Sequence, residues 1–536
     1  MKKVVLIGLG FIVLLVYFLS LYPDIYFGDS PEFVTSAYTL GIAHPTGYPL
    51  YTLITHLVTR LFIPENAAWS LNLFSALAGT GAIVIFYLLL SRHYLGFVKD
   101  NVLRVFYSIM ACVLLGFTET FWGQATLTEV YTLQWFFILA ILYSFEEWNV
   151  NKNRCLFLLG FLLVGMGFSH HLLTIVVIPS IVLILIMNRK ELDLALFMTG
   201  ISLLFLGWGS VLYLPIRSSC EPLINWGDPS NLWQFLDTIT GRQYKWKMFS
   251  DSFNPNHSNF GYSLFELIMT GISQYGMRQR YFFILLFFPL TAISFFAVFR
   301  NRYLKLVPLS IFLMTSLVVI LNYKISDINE YYIPVYMVSA ILIVIGLSNV
   351  VEKINVSRHI HYLLICTFIV IPFLGNYSHL FHNKKSNRVR LAAKEYAQTV
   401  LNYVEPNGII YTAGDYDILP MWYAQYVLHI RPDIAIVGTN FLSSPWYEKF
   451  LVRESDLIFK IYPTVFQYKE DYYKSFISDN LNPNIGKRPI YFSYYDPEIF
   501  NYYPTSEIQL KGFILPDDKQ YEWLNYLYKL NVQQKN

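Results

Sequence analysis

KKVVLIGLGFIVLLVYFLSLYPDIYFGDSPEF, residues 2–33, governs the reading of the chain. Two lysines precede an apolar run from Val4 to Tyr22, and Gly28-Asp29-Ser30-Pro31-Glu32 follows closely. A helix needs roughly 20 apolar residues to cross about 30 Å of hydrocarbon, and this run supplies them. It is long for a signal peptide, and Phe18-Leu19-Ser20-Leu21-Tyr22 offers no small-residue cleavage site, so it reads as a retained span. The acids after it then lie at a membrane edge, where ionisable groups point to chemistry or transport.

The same alternation repeats downstream. Further apolar runs cover 69–91, 104–118, 127–146, 155–168, 171–188, 193–215, 281–299, 304–322, 332–350 and 360–379, predicting a bundle of about eleven transmembrane helices. Composition agrees: 55% of the 536 residues are hydrophobic and only 14% are charged, against about 25% in a soluble domain. A net charge of +3 gives no electrostatic case for a nucleic-acid partner. Cys112, Cys155, Cys220 and Cys366 have no metal-site spacing, and only Cys220 falls clearly outside, so no intrachain disulfide is expected.

Basic residues set the orientation. With the N-terminus inside, Arg92, Lys99 and Arg104, then Lys152 and Arg154, Arg189 and Lys190, Arg300, Arg302 and Lys305, and Lys353 and Arg358 all fall in cytoplasmic connections. The short outer connections hold only Lys324, and the first outer loop only Arg60, as the positive-inside rule requires. Lys384, Lys385, Arg388 and Arg390 vote the other way. A long terminal domain crosses largely regardless of charge, so the odd count stands.

The division that follows is a membrane domain, residues 1–380, with long outer loops 23–68 and 216–280, and a soluble domain, residues 385–536. In the latter, Ile409–Ala413, Ile434–Gly438 and Pro489–Phe492 read as short buried strands, and Ile418–Ile430 as a helix, which predicts a small α/β fold.

Six polar or aromatic clusters share the outer face. Asp29 and Glu32 support two readings: a helix start, with Pro31 in the first turn, or a base that removes a proton from an acceptor hydroxyl. His44-Pro45-Thr46-Gly47-Tyr48-Pro49 is a rigid turn feeding a surface helix from Leu50 to Leu61; His44 and Tyr48 are structural or substrate-facing. Glu129 lies just inside an apolar run, and His170-His171 interrupts another without the i, i+4 spacing of a metal pair. Arg217 ends the seventh run, as a phosphate clamp or as an interfacial anchor. Trp226 can stack on a sugar, Asp228 can bind substrate or start a helix, and Arg242 can hold an anion. Asp327 adds an acid before the tenth run. No phosphate loop, dinucleotide fingerprint or nucleophile elbow is present.

Together these stretches resemble the bacterial family related to the protein O-mannosyltransferases of the GT-C superfamily. The similarity rests on Gly28–Phe33, Gly41-Ile42-Ala43-His44-Pro45-Thr46-Gly47-Tyr48-Pro49, Thr128-Glu129-Val130-Tyr131, Leu214-Pro215-Ile216-Arg217, Asn225–Pro229 and Gly241-Arg242-Gln243-Tyr244, and covers about residues 1–350. Where that family usually carries Gly-Glu-Phe after Asp-Ser, this chain carries Pro31-Glu32-Phe33.

The resemblance implies a GT-C-like glycosyltransferase of a bacterial inner membrane, its site and C-terminal domain extracytoplasmic. It implies transfer of a sugar, mannose by family preference, from a polyprenyl-phosphate-linked donor to a protein or glycan hydroxyl. Asp29 occupies the place of the essential first-loop acid, with Glu32 as the second catalytic carboxylate. Arg217, His170, His171 and Arg242 are the expected donor-phosphate contacts; His44, Tyr48, Glu129, Trp226, Asp228 and Asp327 the expected substrate contacts. Neither metal nor cofactor is expected, because cationic side chains can stabilise a monophosphate leaving group. The competing reading, a flippase for a lipid-linked saccharide, expects charges near the bilayer midplane and related halves; here the charges cluster at helix ends and no repeat is visible.

Overall fold

The computed structural model describes residues 2–248, 306–323, 325, 328–354, 357–382, 390–442, 444–454, 460, 469–503, 508–512 and 526–530. Each apolar run coincides with a helical segment except 281–299, which lies outside the described residues. Among the described residues, five helical stretches are long and apolar enough to span a membrane: Lys3–Ser20, Pro64–Tyr94, Leu194–Ser218, Ile328–Val351 and His359–Asn376. The chain forms two compact units.

The first unit comprises Met1–Leu21, Leu73–Val211 and Gly241–His382, and is built of apolar helices. Their starts are fixed by short polar side chains: Asp100 accepts from Val102 N and Leu103 N, Asn153 from Leu156 N, and Asp193 from Leu196 N. Helices Arg154–His170 and Leu194–Trp208 meet backbone to backbone. A Cβ on Gly165 would fall 2.0 Å from the Leu204 carbonyl oxygen, and one on Gly207 2.4 Å from that of Leu162. Small residues at such a crossing let membrane helices gain dispersion contacts where no hydrophobic force draws them together.

The second unit comprises Tyr22–Asn72, Leu212–Thr240 and Asn383–Asn536. This differs from a boundary near residue 380. The first outer loop and the described part of the second fold with the C-terminal segment, because one apolar core requires all three. Ile25, Phe27, Val34, Ala37, Ile224 and Trp226 are buried in the same cluster as Tyr396, Ile410, Trp422, Val437 and Phe492.

Its sheet has the order β2-β1-β3-β5-β4, formed by Ile409–Thr412 (β1), Ala435–Gly438 (β2), Ile490–Phe492 (β3), Ile508–Gly512 (β4) and Tyr526–Leu530 (β5). β1 is parallel to both β2 and β3, while β5 is antiparallel to β3 and β4. All four residues of β1 and of β2 are buried, which is why they read as continuous apolar runs. The expected helix 418–430 is Asp415–Tyr426, and the expected 50–61 is Pro49–Thr59.

Candidate active site

Gly28, at φ +97°, turns the chain into the helix Ser30–Thr39, with Pro31 in its first turn. Asp29 precedes this helix with near-helical backbone angles, and its side chain makes no capping hydrogen bond. The helix start expected at Gly28-Asp29-Ser30-Pro31-Glu32 is thus present, without a side-chain cap from Asp29.

Glu32, farther along the same turn, is 2% exposed and faces the His-Pro turn. One carboxylate oxygen accepts the His44 backbone N–H at 2.6 Å, and the other lies 2.7 Å from His44 Nδ1. On the far side of the ring, Nε2 lies 3.0 Å from the Tyr48 hydroxyl and 3.9 Å from Asp29 Oδ2. Burial alone would strip the charge from His44. The carboxylates of Glu32 and Asp29, the Glu32 hydrogen bond and Asp415 outweigh it and push the imidazole up to about 10. His44 is thus an imidazolium between two carboxylates.

The loop holding this group is pinned from several sides. Phe33 packs on His44 and Tyr48 at ring distances of 5.5 and 5.2 Å. Tyr213 donates to the Gly41 carbonyl at 2.8 Å, and Ile42 bridges to the second loop through Ile42 N to Ile224 O at 2.7 Å and Trp226 N to Ile42 O at 3.2 Å. Gly47, at φ +82°, leaves room that a Cβ would lose 2.7 Å from Leu214.

Asp29, Glu32 and His44 each offer a possible metal-ligand atom within 4.8 Å of the others. Both ring nitrogens face oxygen partners, and an ion bound here would take the place of a ring proton.

Several expected site residues are committed elsewhere. Glu32 is buried, and both its oxygens face His44. Arg217 donates from Nε to the Leu40 carbonyl at 2.7 Å and from Nη2 to that of Thr39 at 3.4 Å, closing the C-terminus of the helix that Asp29 precedes. With 10 residues between them, that helix sets Asp29 and Arg217 about 15 Å apart. Arg217 therefore does not join the acids in one pocket; its guanidinium is a helix cap, an electrostatic fit for a C-terminus.

Trp226 and Asp228 are likewise structural. Trp226 is 9% exposed, stacked on Trp446 at 5.2 Å and edge-on to Phe441 at 4.9 Å, leaving no open face for a sugar. Asp228 is buried, accepting from Ser218 at 2.9 Å, Asn225 at 3.1 Å and Lys449 at 2.5 Å. Burial would raise its pKa; the Lys449 and Ser218 hydrogen bonds overcome this and hold it below the usual carboxylate range.

In the first unit, His170 is fully buried with Nε2 at 2.9 Å from the Val130 carbonyl, and His171 accepts from Leu173 N at 2.9 Å through Nδ1. The His171 ring therefore carries its proton on Nε2. Glu129 is half-buried, with its backbone N–H toward Ser75 Oγ. Arg242 opens the turn Arg242–Lys247 and is exposed. Asp327 lies outside the described residues.

Sequence reading did not single out Asp415. It starts the helix after β1, accepts from Asn440 at 3.1 Å, and its charge acts on His44. The available signal was Gly414-Asp415 between a strand and a helix, the same pair as Gly28-Asp29.

The protein O-mannosyl-transferase TMEM260 N-terminal domain matches residues 29–194, and the TMEM260-associated domain 2 matches residues 393–491. The mouse (Mus musculus) protein O-mannosyl-transferase TMEM260 is 25% identical over 80% of this chain and 61% of its own length. The Dictyostelium discoideum protein O-mannosyl-transferase tmem260 is 22% identical over 94% of this chain and 65% of its own. The chain thus spans less than two thirds of these relatives. Among solved structures, ArnT from Cupriavidus metallidurans bound to undecaprenyl phosphate superposes with a TM-score of 0.59 at 12% identity, covering 99% of this chain and 98% of ArnT, a likeness of fold. The chain is thus similar to the TMEM260 protein O-mannosyl-transferases over residues 29–194 and 393–491, and its fold is like that of ArnT.

Proposed function

We propose that this protein is a membrane glycosyltransferase that moves a sugar, mannose in our reading, from a polyprenyl-phosphate donor to a serine or threonine hydroxyl of a protein. The Asp29–His44–Glu32 cluster carries this reading: a partly exposed carboxylate backed by a buried imidazolium, in the segment where the match to the O-mannosyl-transferase domain begins. The relatives' names support the activity, and the undecaprenyl phosphate bound to ArnT supports the donor class.

The step is a single inverting displacement. The acceptor oxygen attacks the anomeric carbon as its proton passes to Asp29. The bond from that carbon to the phosphate oxygen breaks, and its electron pair leaves with the polyprenyl phosphate. Asp29 suits the base, with its side chain 38% exposed where Glu32 is enclosed. Glu32 acts on Asp29 through His44, fixing the ring so that Nε2 faces the Asp29 carboxylate. The basic inner connections support an extracytoplasmic site and C-terminal domain in a bacterial inner membrane.

Purified protein in nanodiscs, given radiolabelled polyprenyl-phosphate mannose and a serine- and threonine-containing peptide, tests the reading. Labelled glycopeptide is the expected product. Donor movement across a sealed bilayer with no sugar transfer would establish the flippase reading instead.

A further inference from the structure

The helix Pro445–Glu454 lies within residues 393–491, the TMEM260-associated domain 2, and turns one face to the second outer loop. Trp446, Lys449 and Arg453 are spaced i, i+3, i+7, the positions that align along one side of an α-helix. All three engage the loop 221–228. Trp446 stacks on Trp226 at 5.2 Å, and Lys449 meets the buried Asp228 carboxylate at 2.5 Å. Arg453 donates to the carbonyls of Glu221, Pro222 and Leu223 at 2.8, 3.2 and 3.0 Å.

This loop would not keep its shape alone. Glu221 and Asp228 both have positive φ, 49° and 44°, in the left-handed region that costs a non-glycine residue free energy. Three successive carbonyls at its start converge on the Arg453 guanidinium. The loop in turn carries Ile224 and Trp226, whose backbones bracket Ile42 at 2.7 and 3.2 Å, and the Trp226 ring lies 6.0 Å from that of His44. A displaced 221–228 loop therefore drags the chain two residues before His44.

We propose that the helix Pro445–Glu454 is the positioning clamp of the candidate site, with Trp446, Lys449 and Arg453 fixing the 221–228 loop and that loop fixing His44 against Asp29 and Glu32. The inference rests on the reading of that cluster as a catalytic centre. The C-terminal domain then holds the acids and the imidazolium in register without touching substrate. Lys449 suits a separable test, because its own side chain is 71% exposed and Asp228 keeps Ser218 and Asn225 as partners without it.

Full-length Lys449→Met and Lys449→Arg proteins in nanodiscs are compared with wild type in two readouts. In the transfer assay, Lys449→Met is expected to lower kcat about tenfold with donor KM unchanged, since small misplacements of a reacting group are costly, and Lys449→Arg to recover most of the loss. In the second, the His44 imidazole is titrated by NMR with 13C-labelled histidine, its resonance assigned by loss in His44→Gln. The groups facing it are Asp29, Glu32, Tyr48 and Asp415; wild type should hold its proton to about pH 10, and Lys449→Met should release it at lower pH. Wild-type kcat and an unmoved His44 titration in Lys449→Met would overturn the clamp, as would equal impairment by both substitutions. Should the wild type transfer no sugar, the catalytic reading falls and takes the positioning role with it, whereas a moved titration would still show the loop-to-His44 coupling.

Discussion

Glu32 holds His44 twice, at the backbone N–H and at Nδ1, with contacts of 2.6 and 2.7 Å to its two oxygens. A buried carboxylate would be costly unpaired, so ring and acid stabilise each other's charge.

Glu32→Gln tests that pairing through pH. His44 is raised from 6.5 to about 10 in the folded protein, so its contribution to stability is fully present below pH 6.5 and is lost as pH rises through about 10. Thermal melting of the wild type should fall across that window by more than in Glu32→Gln, where the imidazolium has lost its nearest anion. Parallel profiles for the two proteins would contradict the pairing.

Arg217→Ala separates a helix cap from a phosphate clamp. Loss of the contacts to the Leu40 and Thr39 carbonyls should cost about 1 kcal/mol of stability, seen as a lower melting temperature. Donor KM should stay unchanged. A large rise in donor KM with unaltered melting would restore Arg217 to the donor site.

Trp226→Ala removes a side chain from the shared core, and large-to-small changes of this kind cost about 3–5 kcal/mol. We expect a marked drop in melting temperature. A stable variant with weakened sugar binding would instead mark Trp226 as a stacking platform.

Asp415→Asn removes one of the carboxylates that raise His44 and should lower the pH at which the imidazole titrates, with a loss of melting temperature that is full at pH 6 and disappears as pH rises through about 10. An unchanged titration would remove Asp415 from the site.

The membrane helices are legible in the sequence because hydropathy over some 20 residues depends on solvent alone, not on partners. β1, β2 and β3 are legible for the same reason, as buried apolar runs. β4 and β5 carry Gln509, Lys511 and Lys529 among their apolar residues, in an antiparallel pair that leaves no such run to read. The division into units is illegible because Phe27, Val34 and Trp226 share a core with residues hundreds of positions away. Within the site, sequence shows which groups carry charge, not where each is used. An arginine fits a helix C-terminus as well as a phosphate, and Arg217 closes a helix. Asp29 stands equally between cap and base in the sequence, and the fold adds that it precedes the helix without a side-chain capping bond.

The central claim is that Asp29 removes the acceptor proton, and Asp29→Asn measures it most directly. Single-turnover sugar transfer from a polyprenyl-phosphate donor to a serine and threonine peptide should fall by about 10²–10⁴-fold, while melting temperature and donor binding stay near wild type. Transfer at the wild-type rate by Asp29→Asn would contradict the account.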